Sequence, residues 1–290
     1  MSTRAAPSYR ASVKSDISDE LINTFLLRPI AHLIVRALYY TTVTPNQVTV
    51  ASIVTGIVAA MLYAVAGPVY LPVAGLCMTL KDLLDSADGQ LARAKQMYSR
   101  FGRFLDSIGD FAVNLLVFAA ISMSLFHDSG RSSVFLLGLA GFLGISLRVS
   151  YHVFYQTSFL NLQNAPKVNR ITEEIQKGDL AGDRRALRMQ RTFLLLYGWQ
   201  DELMVRLDRW SMKGVPETLM KSWYSDRPAL ALSGFLGLAT ELFILMLFSI
   251  ARRLDLYLVV NVAGLNTVWA LCVVYRKVIL ARALKRTIQN

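Results

Sequence analysis

Between residues 85 and 110 the chain reads DSADGQLARAKQMYSRFGRFLDSIGD. Asp85 and Asp88 are three residues apart, and Asp106 and Asp110 are four apart. In helices each pair therefore shares a face. Gly102 stands one turn before Asp106. Both pairs sit in otherwise apolar segments, where ionised carboxylates are expensive unless they face a bundle interior or a watered cavity. Two helices that each offer two carboxylates can enclose hard divalent cations. Oxygen donors suit Mg2+, Mn2+ or Ca2+, and no His or Cys lies nearby to favour zinc. Such ions bind through a few carboxylates plus substrate phosphates, and a pair of them can clamp a diphosphate during in-line displacement. Arg93, five residues after Asp88, is placed to neutralise phosphate oxygens. Gly89, Ala92 and Gly102 leave room for a ligand to approach the backbone. The chemistry indicated is metal-dependent reaction of a phosphate ester.

The elements that must position these groups are membrane helices. Of the 290 residues, 54% are hydrophobic and only 18% charged, yet the net charge is +11. Soluble domains carry roughly 25% charged residues, and a disordered chain needs low hydrophobicity. Six apolar spans are expected, near residues 47–67, 69–92, 101–126, 133–155, 228–250 and 256–280, each about 20 residues, the length that crosses hydrocarbon. With the N-terminus in the cytoplasm, 26 of the 31 Lys and Arg fall on the cytoplasmic side, counting Arg103, Arg276 and Lys277 at the cytoplasmic ends of their spans. The positive-inside rule then selects an N-in, C-in topology with the acidic cluster at the cytoplasmic end. That placement accounts for the basicity without nucleic acid. Arg252 and Arg253, in the short outer loop between the last two spans, run against the pattern. No cleavable leader is expected, because the first 17 residues are polar.

The expected organisation is a polar tail at 1–15, an amphipathic helix at 16–40 lying on the cytoplasmic leaflet, and a six-helix membrane domain at 41–280. A basic helical insertion fills 156–227, and a basic tail follows at 281–290. The 16–40 helix spaces Leu21, Ile22, Phe25, Leu26, Ile30, Leu33 and Ile34 helically, with Pro29 as a possible kink. In the insertion, Arg170–Gln176 and Arg184–Trp210 have helical patterns of mixed polarity. Tyr197, Trp199, Trp210 and Trp223 suit an interface, so a solvated or membrane-surface hairpin is expected.

The motif D-x2-D-G-x2-A-R-x8-G-x3-D-x3-D is complete at Asp85, Asp88, Gly89, Ala92, Arg93, Gly102, Asp106 and Asp110. It resembles the signature of the CDP-alcohol phosphotransferase family. Thr44-Pro45-Asn46-Gln47-Val48-Thr49 is similar to the family's approach to its first span, and an amphipathic helix before six spans is similar to its architecture. The resemblance covers residues 16–155 well, and the last two spans match in kind only. It implies that Asp85, Asp88 and Asp106 ligate two divalent cations, Mg2+ or Mn2+. Asp110 would complete the metal site and act as general base on an acceptor hydroxyl. Gly89, Ala92, Arg93 and Gly102 would line the CDP site, and CMP would leave. A homodimer is implied as well. The expected donor is CDP-diacylglycerol, with a polar alcohol as acceptor. The reverse arrangement uses a CDP-linked head group such as inositol, ethanolamine or choline, with a lipid or polyol-phosphate acceptor. A cation transporter built on the acidic cluster is the rival of another class, and a non-catalytic relative would have lost an aspartate.

Other residues carry weaker expectations. Asp82, one turn before Asp85, is expected to pair with Lys81 or another interface group, the other reading being that it supports the metal ligands from behind. Arg148 and His152 would either snorkel to headgroups or hold the acceptor's polar group. Glu241 and Asn266 would pair across helices or line a cleft. The basic run at Arg184, Arg185, Arg188 and Arg191 would touch anionic lipid. Cys77 and Cys272 would be packing residues, since two cysteines in apolar runs make neither a disulfide scaffold nor a four-cysteine zinc site.

Overall fold

In the computed structural model, which describes residues 20–163, 173–175 and 183–284, every regular element among the described residues is helical. The tail at 1–15 and most of the expected helix at 170–176 lie outside the described residues. Its described part, residues 173–175, is not helical.

A π-helical turn, Asn23–Leu27, leads into α1, Arg28–Tyr39. Pro29 occupies the first turn of α1, where its missing N–H is tolerated. The irregularity that proline imposes appears as the π turn upstream of it. Leu27 of the π turn and Ala31 and Val35 of α1 are buried, and Ala31 and Val35 pack with Ala87 and Leu91 of the acidic helix at Tyr70–Lys95. Phe25, Leu26, Ile30 and Leu33 remain exposed.

α2, Pro45–Val65, begins with a capping box: Thr44 accepts from the Gln47 amide, and the Gln47 side chain accepts from the Thr44 amide at 2.8 Å. α3, Tyr70–Lys95, stops at Gln96, whose φ of 59° is left-handed. α4, Arg100–Ser129, starts one short link later, with the Ser99 hydroxyl accepting from the Gly102 amide at 3.1 Å. α5 is Ser133–Leu162 and α6 is Arg184–Ser211, the latter capped by Asp183. After a short α7, Met220–Tyr224, come α8, Arg227–Ile250, and α9, Leu254–Leu284. α8 is interrupted between Gly234 and Leu238. Glu20 accepts from the Thr240 amide at 2.9 Å and so satisfies a donor at the start of its second half. α9 contains two π segments, Val260–Leu265 and Tyr275–Leu280.

Five helices are long and apolar enough to cross a membrane: α2, α4, α5, α8 and α9. α3 has the length, 26 residues, but its second half carries Lys81, Asp82, Asp85 and Asp88. Its first half leaves Tyr70, Val73, Leu76 and Leu80 exposed.

The packing order decides where the site lies. α2 runs along both α3 and α4, whereas α3 and α4 scarcely approach one another beyond their link. The two acidic helices are thus held apart by a shared neighbour, leaving a gap for their side chains. α1 and the second half of α8 flank α3 on its other sides. Gly75 makes the α8 contact possible, since a Cβ there would lie 2.7 Å from Ser249 Cβ and 3.1 Å from Met246 Cα. A core of Tyr63, Met78, Ile121, Phe142 and Tyr257 fills the half of the bundle away from the α3–α4 link.

The insertion does not stand apart from the bundle. α6 packs on α4 and α5. Phe193 lies against Phe104 at 5.4 Å, Tyr197 against Phe111 at 5.8 Å, and Gln200 accepts from Ser150 at 2.7 Å. Asp208, near its end, accepts from Tyr155, Trp223 and Tyr224 at 2.8, 2.9 and 2.6 Å. Tyr197 and Trp223 are therefore packing residues, while Trp199 and Trp210 are half-exposed. Arg184, Arg185, Arg188 and Arg191 point outward.

Candidate metal and phosphate site

The α3–α4 link sets the level of each aspartate. Asp88 lies eight residues before Gln96, and Asp106 lies seven after Ser99. At 1.5 Å per residue both are about 11 Å from the link. Asp85 and Asp110 are each eleven residues away, about 16 Å along their helices. The pattern thus builds two tiers of facing carboxylates.

The structure brings Asp85, Asp88 and Asp106 together, with one oxygen from each lying within 4.8 Å of the others. α2 supplies hydroxyls that hold two of them. Thr49 Oγ1 donates to Asp88 Oδ2 at 2.5 Å, and Ser52 Oγ donates to Asp85 Oδ1 at 2.6 Å. Orienting contacts of this kind fix ligand geometry before an ion arrives. The group fits a hard divalent cation: all donors are oxygens, they converge, and neither nitrogen nor sulfur ligands belong to the group. Asp110 stands beside it with Lys81, whose ammonium donates to Asp85 Oδ2 at 2.7 Å and to Asp110 Oδ1. The expected pairing of Lys81 with Asp82 is corrected here. Lys81 and Asp85 are one turn apart and face the α4 carboxylate, so the ammonium is drawn to two partners on that side.

The phosphate-side residues take compatible places. The Arg93 guanidinium lies over Gly89, 3.5 Å from where a Cβ would stand. Gly102, buried at the start of α4, faces the side-chain oxygen of Asn46, and a Cβ there would collide with it. Ala92 is partly buried on α3, next to Arg93. Lys95 donates to the carbonyls of Thr41 and Val43, at 2.9 and 2.7 Å, tying the end of α3 to the α1–α2 link.

A cavity of about 60 Å³ adjoins Asp110, lined among others by Phe111, Asn114, Ser146, Tyr197 and Leu238. Tyr197 comes from α6 and donates to the Ser107 carbonyl at 2.9 Å. Burial, then the Asp110 and Asp106 charges, push its phenol well above the usual range, so it serves as a neutral wall and donor. Arg103 and Glu173 pair at 2.8 Å nearby. Thr49, Ser52, Lys81 and Tyr197 are the site neighbours that sequence reasoning missed. The small-residue stripe Thr49, Ser52, Gly56 at helical spacing was the available signal for the first two.

Arg148 serves neither of its expected roles. It is buried and pairs with Glu241 at 2.9 Å, while donating to Asn266 Oδ1 at 2.6 Å and to the Asn261 carbonyl at 3.1 Å. Glu241 also accepts from Tyr257 at 3.0 Å. Glu241 and Asn266 therefore pair across helices. His152 is buried on the same helix. Cys77 and Cys272 are free thiols, the latter packed beside Tyr151 and Tyr155.

Fold and site together define a polytopic helical protein with three converging carboxylates that could hold a cation. Residues 42–165 match the CDP-alcohol phosphatidyltransferase family, and the chain carries a domain of that family there. It is similar to the bifunctional IPC transferase and DIPP synthase of Thermococcus kodakarensis, 38% identical over 109 residues, which is 38% of this chain and 23% of the relative. The protein of the same name from Aquifex aeolicus is 34% identical over 82 residues, 28% of this chain and 18% of the relative. That from Archaeoglobus fulgidus is 37% identical over 81 residues, 28% and 16% respectively. The chain spans less than a quarter of the length of these relatives. α6 to α9 lie beyond the family match.

Proposed function

We propose that the protein transfers a substituted phosphate group from a CDP-linked donor to an alcohol hydroxyl, releasing CMP, with Mg2+ or Mn2+ bound. The observation that carries this reading is the convergence of Asp85, Asp88 and Asp106 inside a domain of the CDP-alcohol phosphatidyltransferase family. The names of the relatives, transferase and synthase, support transfer chemistry. Bound cation would neutralise the diphosphate and the departing CMP.

The chain's own residues then divide the work. Asp85, Asp88 and Asp106 hold the cation, with Thr49 and Ser52 orienting two of them. Arg93 neutralises phosphate oxygens that the cation does not reach, and Gly89, Ala92 and Gly102 let the CDP moiety approach the backbone. Asp110 takes the proton of the acceptor hydroxyl at a carboxylate oxygen. The cavity beside Asp110, closed by Tyr197, supports an approach of the acceptor from that side.

CDP-diacylglycerol is the donor we infer, with a polar alcohol as acceptor, in phospholipid synthesis. We infer six spans, with α3 added to the five long apolar helices: its first half exposes apolar side chains and its second half carries the acidic residues of the site. The exposed apolar side chains of α1 support an interfacial helix. The charge distribution supports an N-in, C-in orientation with the site at the cytoplasmic face. The assembly we infer is a homodimer.

The test supplies the purified protein with CDP-diacylglycerol, CDP-inositol and CDP-ethanolamine in turn, against a panel of alcohols with Mg2+ and with Mn2+. CMP release from CDP-diacylglycerol is expected. Release from a CDP-linked head group alone would replace the donor. No CMP from any donor would sink the reading and favour cation transport.

A further inference from the structure

The eight-position motif does not include Lys81, yet this side chain sits inside the acidic site. It is 1% exposed, one turn before Asp85, and its ammonium bridges Asp85 on α3 and Asp110 on α4. We propose that Lys81 takes the place of a second divalent cation, so that this chain holds one divalent ion where the family resemblance implies two. The inference rests on the functional reading above and specifies its cation site.

Three observations carry it. The carboxylates that converge as a ligand group are Asp85, Asp88 and Asp106; Asp110, which also stands beside Asp85, is bound by the Lys81 ammonium. A second ion bridging Asp85 and Asp110 would have to occupy the space that ammonium fills. Like charges at that separation repel strongly in a poorly screened interior. Nor is the lysine free to withdraw. Its side chain is enclosed by the bundle, and Ser52 Oγ donates to Asp85 Oδ1 at 2.6 Å while lying 3.1 Å from the Lys81 carbonyl. That hydroxyl anchors the turn of α3 that carries both residues.

The division of labour is chemically sensible. An ammonium has three donors and no affinity for phosphate geometry beyond its charge. Spent on Asp85 and Asp110, it holds the general base at a fixed position across the gap between helices that scarcely touch. Lys81 is therefore a positioning residue for Asp110, and the one exchangeable cation is left to the Asp85–Asp88–Asp106 group.

The experiment counts Mn2+ on the full chain in detergent, freed of metal beforehand, by equilibrium binding and by electron paramagnetic resonance. Wild type is expected to bind one Mn2+ per chain, with the spectrum of an isolated ion. Lys81→Met, checked for folding by size-exclusion profile, is expected to bind two, with the spectrum of an exchange-coupled pair. Lys81→Arg, which keeps the charge, is expected to stay at one. A coupled pair in wild type overturns the inference whether or not the methionine variant folds, and so does a folded Lys81→Met that still binds one ion. Wild type that binds no Mn2+ would overturn the cation-dependent chemistry as well, which separates the two failures.

Discussion

Asp110 differs from its three acidic neighbours in what it touches. Asp85, Asp88 and Asp106 converge, while Asp110 opens on a cavity of about 60 Å³ and is held by Lys81. Asp110→Asn keeps the size and an oxygen that can accept from Lys81, but it cannot take up a proton at neutral pH. Turnover, measured as CMP release, should fall by at least about 10²-fold, the usual contribution of a positioned base. Mn2+ binding should persist, because the converging carboxylates are untouched. A variant within tenfold of wild-type turnover would remove Asp110 from the base role. These four aspartates were legible in the sequence because a carboxylate in an apolar run is costly and their spacing is helical. Thr49 and Ser52 were not legible as their partners. A hydroxyl in an apolar helix satisfies itself on its own backbone at little cost, so the small-residue stripe on α2 marks a close helix contact without saying that these two point at α3. The partner of Lys81 was misjudged for a related reason: adjacency favours Asp82, whereas helix geometry turns Lys81 toward Asp85 and the α4 carboxylate.

At the scale of elements, the site depends on three helices meeting at one level. The α3–α4 link was readable, since Ser99 caps α4 and equal residue counts set facing tiers. The separation of α3 and α4 by α2 was not, because helix order in space does not follow from helix order in sequence. Gly102 is one of three glycines, with Gly56 and Gly109, at which α2 and α4 meet closely. A methyl group at Gly102 would intrude on Asn46, two residues after the Thr44 cap. Gly102→Ala should lower the thermal midpoint, at a cost of roughly 1–3 kcal/mol for overpacking. Asn46→Ala in the same chain should restore most of that loss by vacating the space. Stability, not turnover, is the measurement, because Gly102 also borders the proposed CDP site. An alanine variant as stable as wild type would mean that the close approach is relieved at no cost. The insertion teaches the same lesson about elements. Phe193, Tyr197, Gln200, Met204 and Asp208 share one face of α6, and that stripe was visible. Its docking surface on α4 and α5 was not, since Phe104, Phe111, Ser150 and Tyr155 read equally well as residues facing lipid or core.

Across the whole molecule, the sequence pattern of charge and hydropathy was sufficient for a polytopic helical bundle. It was silent about the Arg148–Glu241 pair, because a buried ion pair is indistinguishable in sequence from two snorkelling or site residues. It also passed over the break in α8, where Glu20 reaches the Thr240 amide from the start of the described chain. The orientation itself can be tested on the α4 span, which joins the two faces directly. Tyr98, in the α3–α4 link, is 59% exposed, and Ser132, just before α5, is exposed at the other end. In a chain with Cys77 and Cys272 replaced by alanine, Tyr98→Cys should react with a membrane-impermeant maleimide only from the cytoplasmic face, in inverted vesicles. Ser132→Cys should react only from the outer face, in intact spheroplasts. Both positions carry small or surface side chains, so neither change disturbs the packed core, and Ser99, the cap of α4, is kept. Labelling of both from one face would deny that α4 crosses the bilayer. Labelling with the faces exchanged would put the acidic site outside, away from the side that 26 of the 31 basic residues mark as cytoplasmic.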